Sequence, residues 1–583
     1  MEEKDISKQT DAKLLETLEN WFSDVVSFDK TWKDVSKEMY KRYHGHQWTS
    51  EEEQILKERK QAVSTFNHIA PAIDAIVGGE RLNRPKIKMA GRTKDDDRIA
   101  EVKTALYDYI EYNSDTDEVI DKMLLDALVA GRGAMYVNPV MDEKENIDIM
   151  HEYVDYRDFF VDSLSKRDDL VDARYVSYAV YLDEDIVKAK FPKYKSDTGT
   201  AESAYSFESS SEDEMWFEKS NRKRPRVITT WYRDEKGFIS TAIWVKGKIL
   251  YEDTKPYEAN MFPFVMISYK RDMDNSPYGL VRSMVSAQEE INKRHSKAMH
   301  YLNSSQVLAE ENAFVDWDEA EKTLADPSGI TKLQDDSLRD GRVQIIPTAA
   351  LAETHIRLMQ IAEQKLLSSA GINGAYIGQA GQYESAKKAN LSISQAQNTL
   401  IPFLNKVRIA RYNLAKITMR LVPEFFTEEK IIRIVNEDGS YDFMPINRVE
   451  LVREGELALI NDVSRDEVDI IIEDAPRGLN ERAEQLQMLL QIQGQTSRPI
   501  PMEILLRYTD LKDKHELSKE LESHYKMESQ LQQAQAQMEQ MAKQIEALGG
   551  QIAQKDSIIV QTQTARKVDA EVNKVKTKMG GLL

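Results

Sequence analysis

The sequence predicts an α+β fold, predominantly helical, in a chain built to assemble with copies of itself. Three observations carry this. Long stretches step their apolar residues by threes and fours. Short alternating segments between residues 227 and 269 read as strands joined by turns. Two narrow-faced helices flank a short mixed insert, and a glycine-rich loop follows. Such helices bury little alone, so packing against other subunits is the natural solution.

Residues 11 to 60 read as helices, with Trp21, Phe22, Val25, Phe28 and Trp32 on one aromatic-rich face. Phe66 to Val77 continues helical, Arg84-Pro85 breaks the run, and Lys86 to Met89 alternates like a strand. Helical spacing returns over 96 to 130 through Ile99, Val102, Leu106, Tyr109 and Ile110, then Ile120, Leu124 and Leu128. Gly131-Arg132-Gly133 ends that element, and Ala134 to Val140 reads as a strand. Residues 147 to 190 alternate strand-like and helical pieces. Ser196 to Asp213, rich in Ser and Glu, is expected to form a mobile surface loop. Short strands are expected at Val227 to Tyr232, Phe238 to Trp244, Lys248 to Tyr251 and Phe264 to Tyr269, with a turn at Asp234-Glu235-Lys236-Gly237.

The first paired helix is predicted from about Ser276, with Pro277 in its first turn, where a missing N–H costs little. Leu280, Met284, Ala287, Ile291, Ala298 and Leu302 form its apolar face. The second helix, after Pro347, repeats the pattern with Ala352, Ile356, Met359, Ala362 and Leu366. Between them lie Trp317, a turn at Asp326-Pro327-Ser328-Gly329, and the apolar Val343 to Ile346. Gly371, Gly374, Gly378 and Gly381 then punctuate an exposed stretch that also holds Tyr376 and Tyr383.

Residues 385 to 421 give the cleanest helical period, and Pro402 should kink it near Asn398. Strands are expected at Ile431 to Val435 and Val468 to Ile472. Residues 478 to 530 read as helical, interrupted around Arg498-Pro499-Ile500-Pro501. Leu531, Ala534, Met538, Met541, Ile545, Leu548 and Ile552 then form heptads with Gln-rich flanks. Gly549-Gly550 weakens that helix, and the phase shifts before Val568, Val572, Val575 and Met579. A dimeric coiled coil satisfies these heptads as well as a larger helical assembly does.

Composition narrows the function classes. With 583 residues the chain has room for several domains, and 31% charged and 41% hydrophobic residues suit a folded soluble protein. No cysteine is present, which excludes disulfides and thiolate metal sites and fits a reducing compartment such as a bacterial cytoplasm. No run of eighteen apolar residues occurs, so no membrane-spanning helix is expected. The acidic start Met1-Glu2-Glu3-Lys4-Asp5 does not read as a secretory signal. A net charge of −20 opposes a tight, nonspecific grip on nucleic acid and favours solubility.

Catalytic constellations are not found. No Gly-x-x-x-x-Gly-Lys-Ser/Thr phosphate cradle occurs, and the Gly371 to Gly381 series lacks its Lys and hydroxyl and follows a helix. It reads as a flexible loop. His44 and His46 have no third ligand nearby and fit a turn beside Trp48. His295, His300 and His355 fall on the paired helices, where hydrogen bonding or exposure is expected. Asp168-Asp169 and Asp335-Asp336 lack a matched base. There is no Gly-x-Ser-x-Gly elbow. Neither enzymatic activity, nor a cofactor, nor a metal is expected.

Six pieces of sequence, in order over roughly residues 30 to 475, resemble the portal proteins of tailed bacteriophages. They are Tyr43-His44-Gly45-His46-Gln47-Trp48, Phe66-Asn67-His68-Ile69 and Gly78-Gly79-Glu80-Arg81-Leu82-Asn83-Arg84-Pro85. Further on come Asp158-Phe159-Phe160-Val161-Asp162, Ser276-Pro277-Tyr278-Gly279-Leu280 and Gln288-Glu289-Glu290-Ile291-Asn292-Lys293-Arg294. The branch most resembled is that of the short-tailed phages of enteric bacteria. The last hundred residues match only in general character.

The resemblance implies a portal fold assembled as a ring. Its parts would be a wing (1–275 and 386–477), stem helices (276–302 and 347–370) and a clip (303–346). A tunnel loop (371–385), a crown (478–530) and a C-terminal helical tube (531–583) complete it. It further implies a homododecamer at one capsid vertex of the virion, assembled in the host bacterial cytoplasm, through which double-stranded viral DNA is packaged and ejected. Implied partners are the large terminase subunit, which would supply ATP hydrolysis, capsid and scaffolding proteins, and head-completion or tail adaptor proteins, with no membrane. In such a conduit an acidic wall lets a duplex slide, and sparse basic positions give passing contacts.

On this reading Gln379, Gln382, Ser385, Lys387 and Lys388 would touch DNA in the channel. Trp317, Asp335 and Asp336 would lie on the docking surface of the clip, and Met284, Ile291, Ile356 and Met359 would pack the ring. Arg282, Lys293, Arg294 and Lys297 make the first stem helix net basic, which subunit salt bridges explain as well as DNA does. A second reading is a cytoplasmic coiled-coil oligomeric adaptor. A nucleic-acid enzyme is a third, without a catalytic constellation to support it.

Overall fold

The computed structural model describes residues 2–59, 61–92, 96–141, 147–194, 224–303, 306–325, 329–346, 349–372, 386–435, 441–453, 456–464, 468–473, 486–493, 505 and 514–579. The expected loop at Ser196 to Asp213, the turn residues Asp326 to Ser328, most of the glycine series and Arg498 to Pro501 lie outside these residues. The chain divides into two compact units, Met1–Val435 with Tyr441–Ala475, and Asn436–Ser440 with Pro476–Leu583.

The first unit opens with helices α1 (Glu2–Tyr43), α2 (Ser50–Glu58) and α3 (Ile69–Leu82). Thr49 and Glu52 form a reciprocal capping box at the start of α2, satisfying two otherwise unpaired N–H groups. On α1, Leu18, Phe22 and Val25 pack onto a five-stranded antiparallel sheet through Phe160, Tyr175 and Trp244. Phe28, at the rim of the expected aromatic face, is exposed, and Phe66 lies before α3 rather than within it.

That sheet orders β4 (Phe159–Val161), β5 (Tyr175–Tyr181), β6 (Arg226–Arg233), β7 (Ile239–Val245) and β8 (Lys248–Asp253) as consecutive neighbours. A three-stranded sheet places β2 (Arg132–Met141) between β3 (Ile147–Val154) and β9 (Phe264–Ser268). Tyr136, Phe159, Trp231 and Phe264 share the core between the two sheets. β1 (Lys86–Gly91) pairs antiparallel with β18 (Val468–Glu473), tying the early chain to a segment almost four hundred residues later.

The main core gathers α3, β1, β2, β3, β9 and α4 (Asp97–Asn113), α5 (Thr116–Val129), α7 (Val281–Asn303), α9 (Ala349–Ala370) and α10 (Ala386–Phe425). A small helix, α6 (Glu184–Lys190), packs Val187 beside Val227, Val245 and Leu250. α10 runs without interruption past Pro402 and Pro423.

One boundary differs from the sequence expectation. Pro277-Tyr278 is not helical but forms a two-residue strand, β11, against β10 (Lys270–Arg271), and α7 starts only at Val281. Close backbone packing is the reason. A Cβ on Gly279 would lie 2.4 Å from the carbonyl oxygens of Leu128 and Val129, and Gly131, at φ +104°, faces the Tyr278 backbone equally tightly.

Two hairpins follow α10, β14 (Lys430–Val435) with β15 (Tyr441–Ile446) and β16 (Arg448–Arg453) with β17 (Glu456–Ile460). Sequence reading found only the first of these four strands. In the second unit, residues 486–493 are helical and α11 (Lys514–Met579) is one continuous helix. It begins well before Leu531 and passes through Gly549-Gly550, which were expected to weaken it.

Candidate functional site: the helix pair and its insert

α7 and α9 lie side by side, and their facing surfaces already form an intrachain core. Met284 and Ile291 are fully buried on α7, and Ala352, Ala362, Leu366 and Ala370 are buried on α9. This corrects the expectation that Met284 and Ile291 pack the ring: side chains covered by their own chain have no surface left for another copy. Met359 is half-buried against the same core. Ile356 is 37% exposed and belongs with Leu351, Leu358 and Ile361, which leave apolar surface on α9 uncovered within the chain.

A stripe of buried polar residues on α7, which sequence reasoning missed, binds the irregular segment between α2 and α3. Gln288, Asn292 and Ser296 succeed one another at four-residue steps, about 12 Å along the helix. The Gln288 carboxamide donates to the Phe66 carbonyl and accepts from the His68 N–H at 3.0 Å. Asn292 Oδ1 accepts from the Phe66 N–H at 3.0 Å, and Ser296 donates to the Ala62 carbonyl at 2.7 Å. Beside them His295 Nδ1 and the Ser64 hydroxyl are 2.8 Å apart, and Trp48 Nε1 donates to the Ser64 carbonyl at 3.2 Å.

Asn67 donates to the Tyr43 carbonyl and accepts from Ile69 and Ala70 at the start of α3. Arg42 pairs with Glu289 at 3.2 Å, and Lys293 with Glu52 at 3.3 Å. Three dispersed pieces of sequence, Tyr43 to Trp48, Phe66 to Ile69 and Gln288 to Arg294, therefore meet at one junction. The available signal was a set of amide and hydroxyl residues at positions that periodicity assigns to a buried face.

The basic residues of α7 are largely engaged within the chain. Arg282 pairs with Asp272 at 2.9 Å and Arg294 with Glu290 at 2.6 Å, while Lys293 bridges Glu52 and Glu289. Arg294 also lies 3.3 Å from His355 Nδ1, and His355 stacks on Tyr301. Burial, then Arg294 and Lys297, hold the His355 pKa below its ordinary value.

Between the paired helices the insert forms its own small fold. β12 (Gln306–Ala309) pairs with β13 (Val343–Ile346), and α8 (Trp317–Ala325) joins them in a small core through Ala320, together with Ala313 and Phe314 just before the helix. Asp316 Oδ1 accepts from the Asp318 and Glu319 N–H groups, capping α8. Trp317 is 49% exposed, with one ring edge on Phe314 and Nε1 donating to the Glu311 carbonyl at 2.9 Å. Ile330, Leu338, Val315 and Leu308 are also exposed. Asp335 and Asp336 lie in the turns between α8 and β13, Asp336 in the left-handed region at φ +61°, and both are exposed.

Gln379, Gln382 and Ser385 lie outside the described residues. Lys387 and Lys388 fall in the first turn of α10. His44 stacks on Tyr40 beside Gly45, whose φ is +89°. Among the described residues no group of three His, Cys, Asp or Glu could hold a metal, and no helix is long and apolar enough to cross a membrane.

Two buried titratable groups anchor the frame behind the helix pair. His151 bridges the hydroxyls of Thr116, at 2.7 Å, and Thr418, at 2.9 Å, and burial pushes its pKa down to about 3. Asp126 accepts from the hydroxyls of Tyr40 and Tyr153 and from the Tyr156 N–H, and burial pushes it up to about 7. Arg84 is buried against Glu80 and Asp121 and reaches Asp117, at 2.5 to 2.7 Å.

The chain belongs to the phage P22-like portal protein family, whose model matches residues 19–238 and 235–567. A relative described as a portal protein, from Helicobacter pylori bacteriophage KHP30, is 22% identical over 426 residues, spanning 70% of this chain and 66% of the relative, just under two thirds of its length. Among solved structures, a chain of the virion of a native gene transfer agent particle matches at 10% identity and a TM-score of 0.34. A chain from the neck of an empty particle of that kind matches at 10% and 0.33. Each covers 75% of this chain and 88% of the other.

Proposed function

We propose that this chain is the subunit of a phage portal, a ring at one capsid vertex of the virion through which double-stranded viral DNA is packaged and ejected. The observation that carries the reading is the family match, which runs from residue 19 to residue 567. It is supported by a helix pair that presents a separately folded insert. The ring would be a homododecamer of the short-tailed enteric type, assembled in the host cytoplasm. Ring contacts would use the exposed Leu351, Ile356, Leu358 and Ile361 of α9.

The insert would serve as the clip, with Trp317, Asp335 and Asp336 meeting the large terminase subunit during packaging and head-completion or tail adaptor proteins afterwards. Wing surfaces would meet capsid and scaffolding proteins. The chain itself would not be an enzyme, and ATP hydrolysis would belong to the terminase. Gln379, Gln382, Ser385, Lys387 and Lys388 would supply weak, salt-sensitive contacts to DNA. Charge reversal of both lysines should leave rings and empty proheads normal and impair DNA packaging or retention.

Electron-microscopy class averages of the purified protein test the assignment. A central hole with twelve subunits is expected. Dimers or trimers by mass measurement, with no ring, would instead favour the coiled-coil adaptor, for which the exposed Leu531, Met538, Met541 and Ile545 of α11 are the supporting feature.

A further inference from the structure

The last third of α11 carries a basic stripe inside an acidic protein. At about 100° of rotation per residue, Gln563, Arg566, Lys567, Ala570 and Lys574 fall within one arc of roughly 100°. No carboxylate lies in that arc. Glu571 sits at its edge, and Asp569 lies on the flank beyond Arg566. Val568 and Val572 occupy the opposite side of the helix. All of these residues are exposed. Arg566, Lys567 and Lys574 form no ion pair among the described residues, whereas Lys543, earlier on the same helix, pairs with Glu539 at 3.0 Å.

We propose that this stripe is a contact surface for the phosphate backbone of duplex DNA. From Arg566 to Lys574 the helix rises about 12 Å, the length of three to four base-pair steps at about 3.4 Å per phosphate along one strand. The small Ala570 in the middle lets the backbone of the helix approach closely, and Gln563 adds an uncharged donor. Single-stranded nucleic acid is disfavoured because no aromatic side chain occurs from Leu531 to Leu583 on which a base could stack. An anionic bilayer is disfavoured because the opposite face offers Val568 and Val572 without the Trp, Phe or Leu that would enter it. The surface stands on its own charges and does not depend on ring formation.

The test measures binding of a fluorescent 30-base-pair duplex to the full chain by anisotropy across a salt series. The variants are Arg566→Gln, Lys567→Gln and Lys574→Gln combined, with Arg566→Lys, Lys567→Arg and Lys574→Arg as the charge-conserving control. Neutralisation should lower the slope of log K against log salt by about 2 to 3, near 0.9 for each phosphate that is no longer neutralised. The control should keep the wild-type slope. Circular dichroism confirms that the exposed helix is intact, and native mass spectrometry reads assembly separately. An unchanged slope in the neutralised variant overturns the proposal. So does a loss confined to vesicles rich in phosphatidylserine, with duplex binding unaltered.

Discussion

Gln288, fully buried on α7, donates through Nε2 to the carbonyl of Phe66, in a segment with no regular structure of its own. A single carboxamide thereby satisfies two main-chain groups of that segment, the Phe66 carbonyl and the His68 N–H. Replacing it by Leu leaves the Phe66 carbonyl and the His68 N–H short of a partner, at about 1–3 kcal/mol for each such group that stays dry. Hydrogen exchange read by mass spectrometry over residues 60 to 68 should accelerate at least tenfold in Gln288→Leu. Unchanged protection there would place the holding energy elsewhere.

Ile291 and Ile361 sit on the same helix pair with opposite exposures, buried and 47% exposed. Ile291→Asp puts an unpaired carboxylate into the intrachain core, at a cost on the order of several kcal/mol, and should abolish soluble folded protein. Ile361→Asp should fold normally, by circular dichroism and melting temperature, yet shift native mass spectra from rings to monomers. Rings persisting in Ile361→Asp would remove α9 from the subunit contact.

Trp317 makes one edge contact with Phe314 and leaves half its surface free. Trp317→Ala should therefore cost only about 1 kcal/mol in the insert and leave assembly unchanged. Attachment of the large terminase subunit or of a tail adaptor, measured by co-sedimentation with assembled protein, should weaken at least tenfold. Wild-type attachment would assign Trp317 to the small core of the insert alone.

His151 is held neutral with a pKa near 3, below the ordinary histidine value near 6.5. Between those values the unfolded chain binds more protons than the folded one. The contribution of His151 is therefore complete above pH 6.5 and lost as pH falls toward 3, at about 1.4 kcal/mol per pH unit. Asp126, raised to about 7, has the opposite sign: its contribution is largest at low pH and lost as pH rises through 7. Between pH 6.5 and 4 the two contributions largely offset, so His151→Gln, which can still serve both threonines, should change the pH slope of stability in urea unfolding by about 1.4 kcal/mol per unit, toward greater stability as pH falls. A variant with the wild-type pH slope would mean that His151 is protonated in the folded state.

Periodicity revealed the long helices because their buried faces are continuous, as at Leu106 and Ile110 or at Leu400, Val407 and Leu414. It placed the start of α7 too early because Pro277 suits a helical first turn. The close backbone contacts of Gly279 come from Leu128 and Val129, about 150 positions earlier. β15 to β17 escaped notice because Phe443, Val449 and Leu459 are exposed, so their alternation lacks a consistently apolar inner side. At the candidate site, the insert and its exposed Trp317 could be read directly. The division of α7 between intrachain and available surface could not, since a periodic apolar face does not say which neighbour covers it. Gln288, Asn292 and Ser296 were hidden for a related reason: their partners are main-chain atoms, which carry no sequence signal.

The glycines where backbones touch have a mechanical consequence. A Cβ on Gly133 would lie 1.9 Å from the Met123 carbonyl, and Gly131 and Gly279 interlock the start of β2 with the lead-in to α7. With no side chain between them to deform, a push along the axis of α7 passes into α5 and the three-stranded sheet almost without slack. The helix acts as a rigid strut seated in that sheet, so a load on the insert is borne some hundred and fifty residues away in sequence.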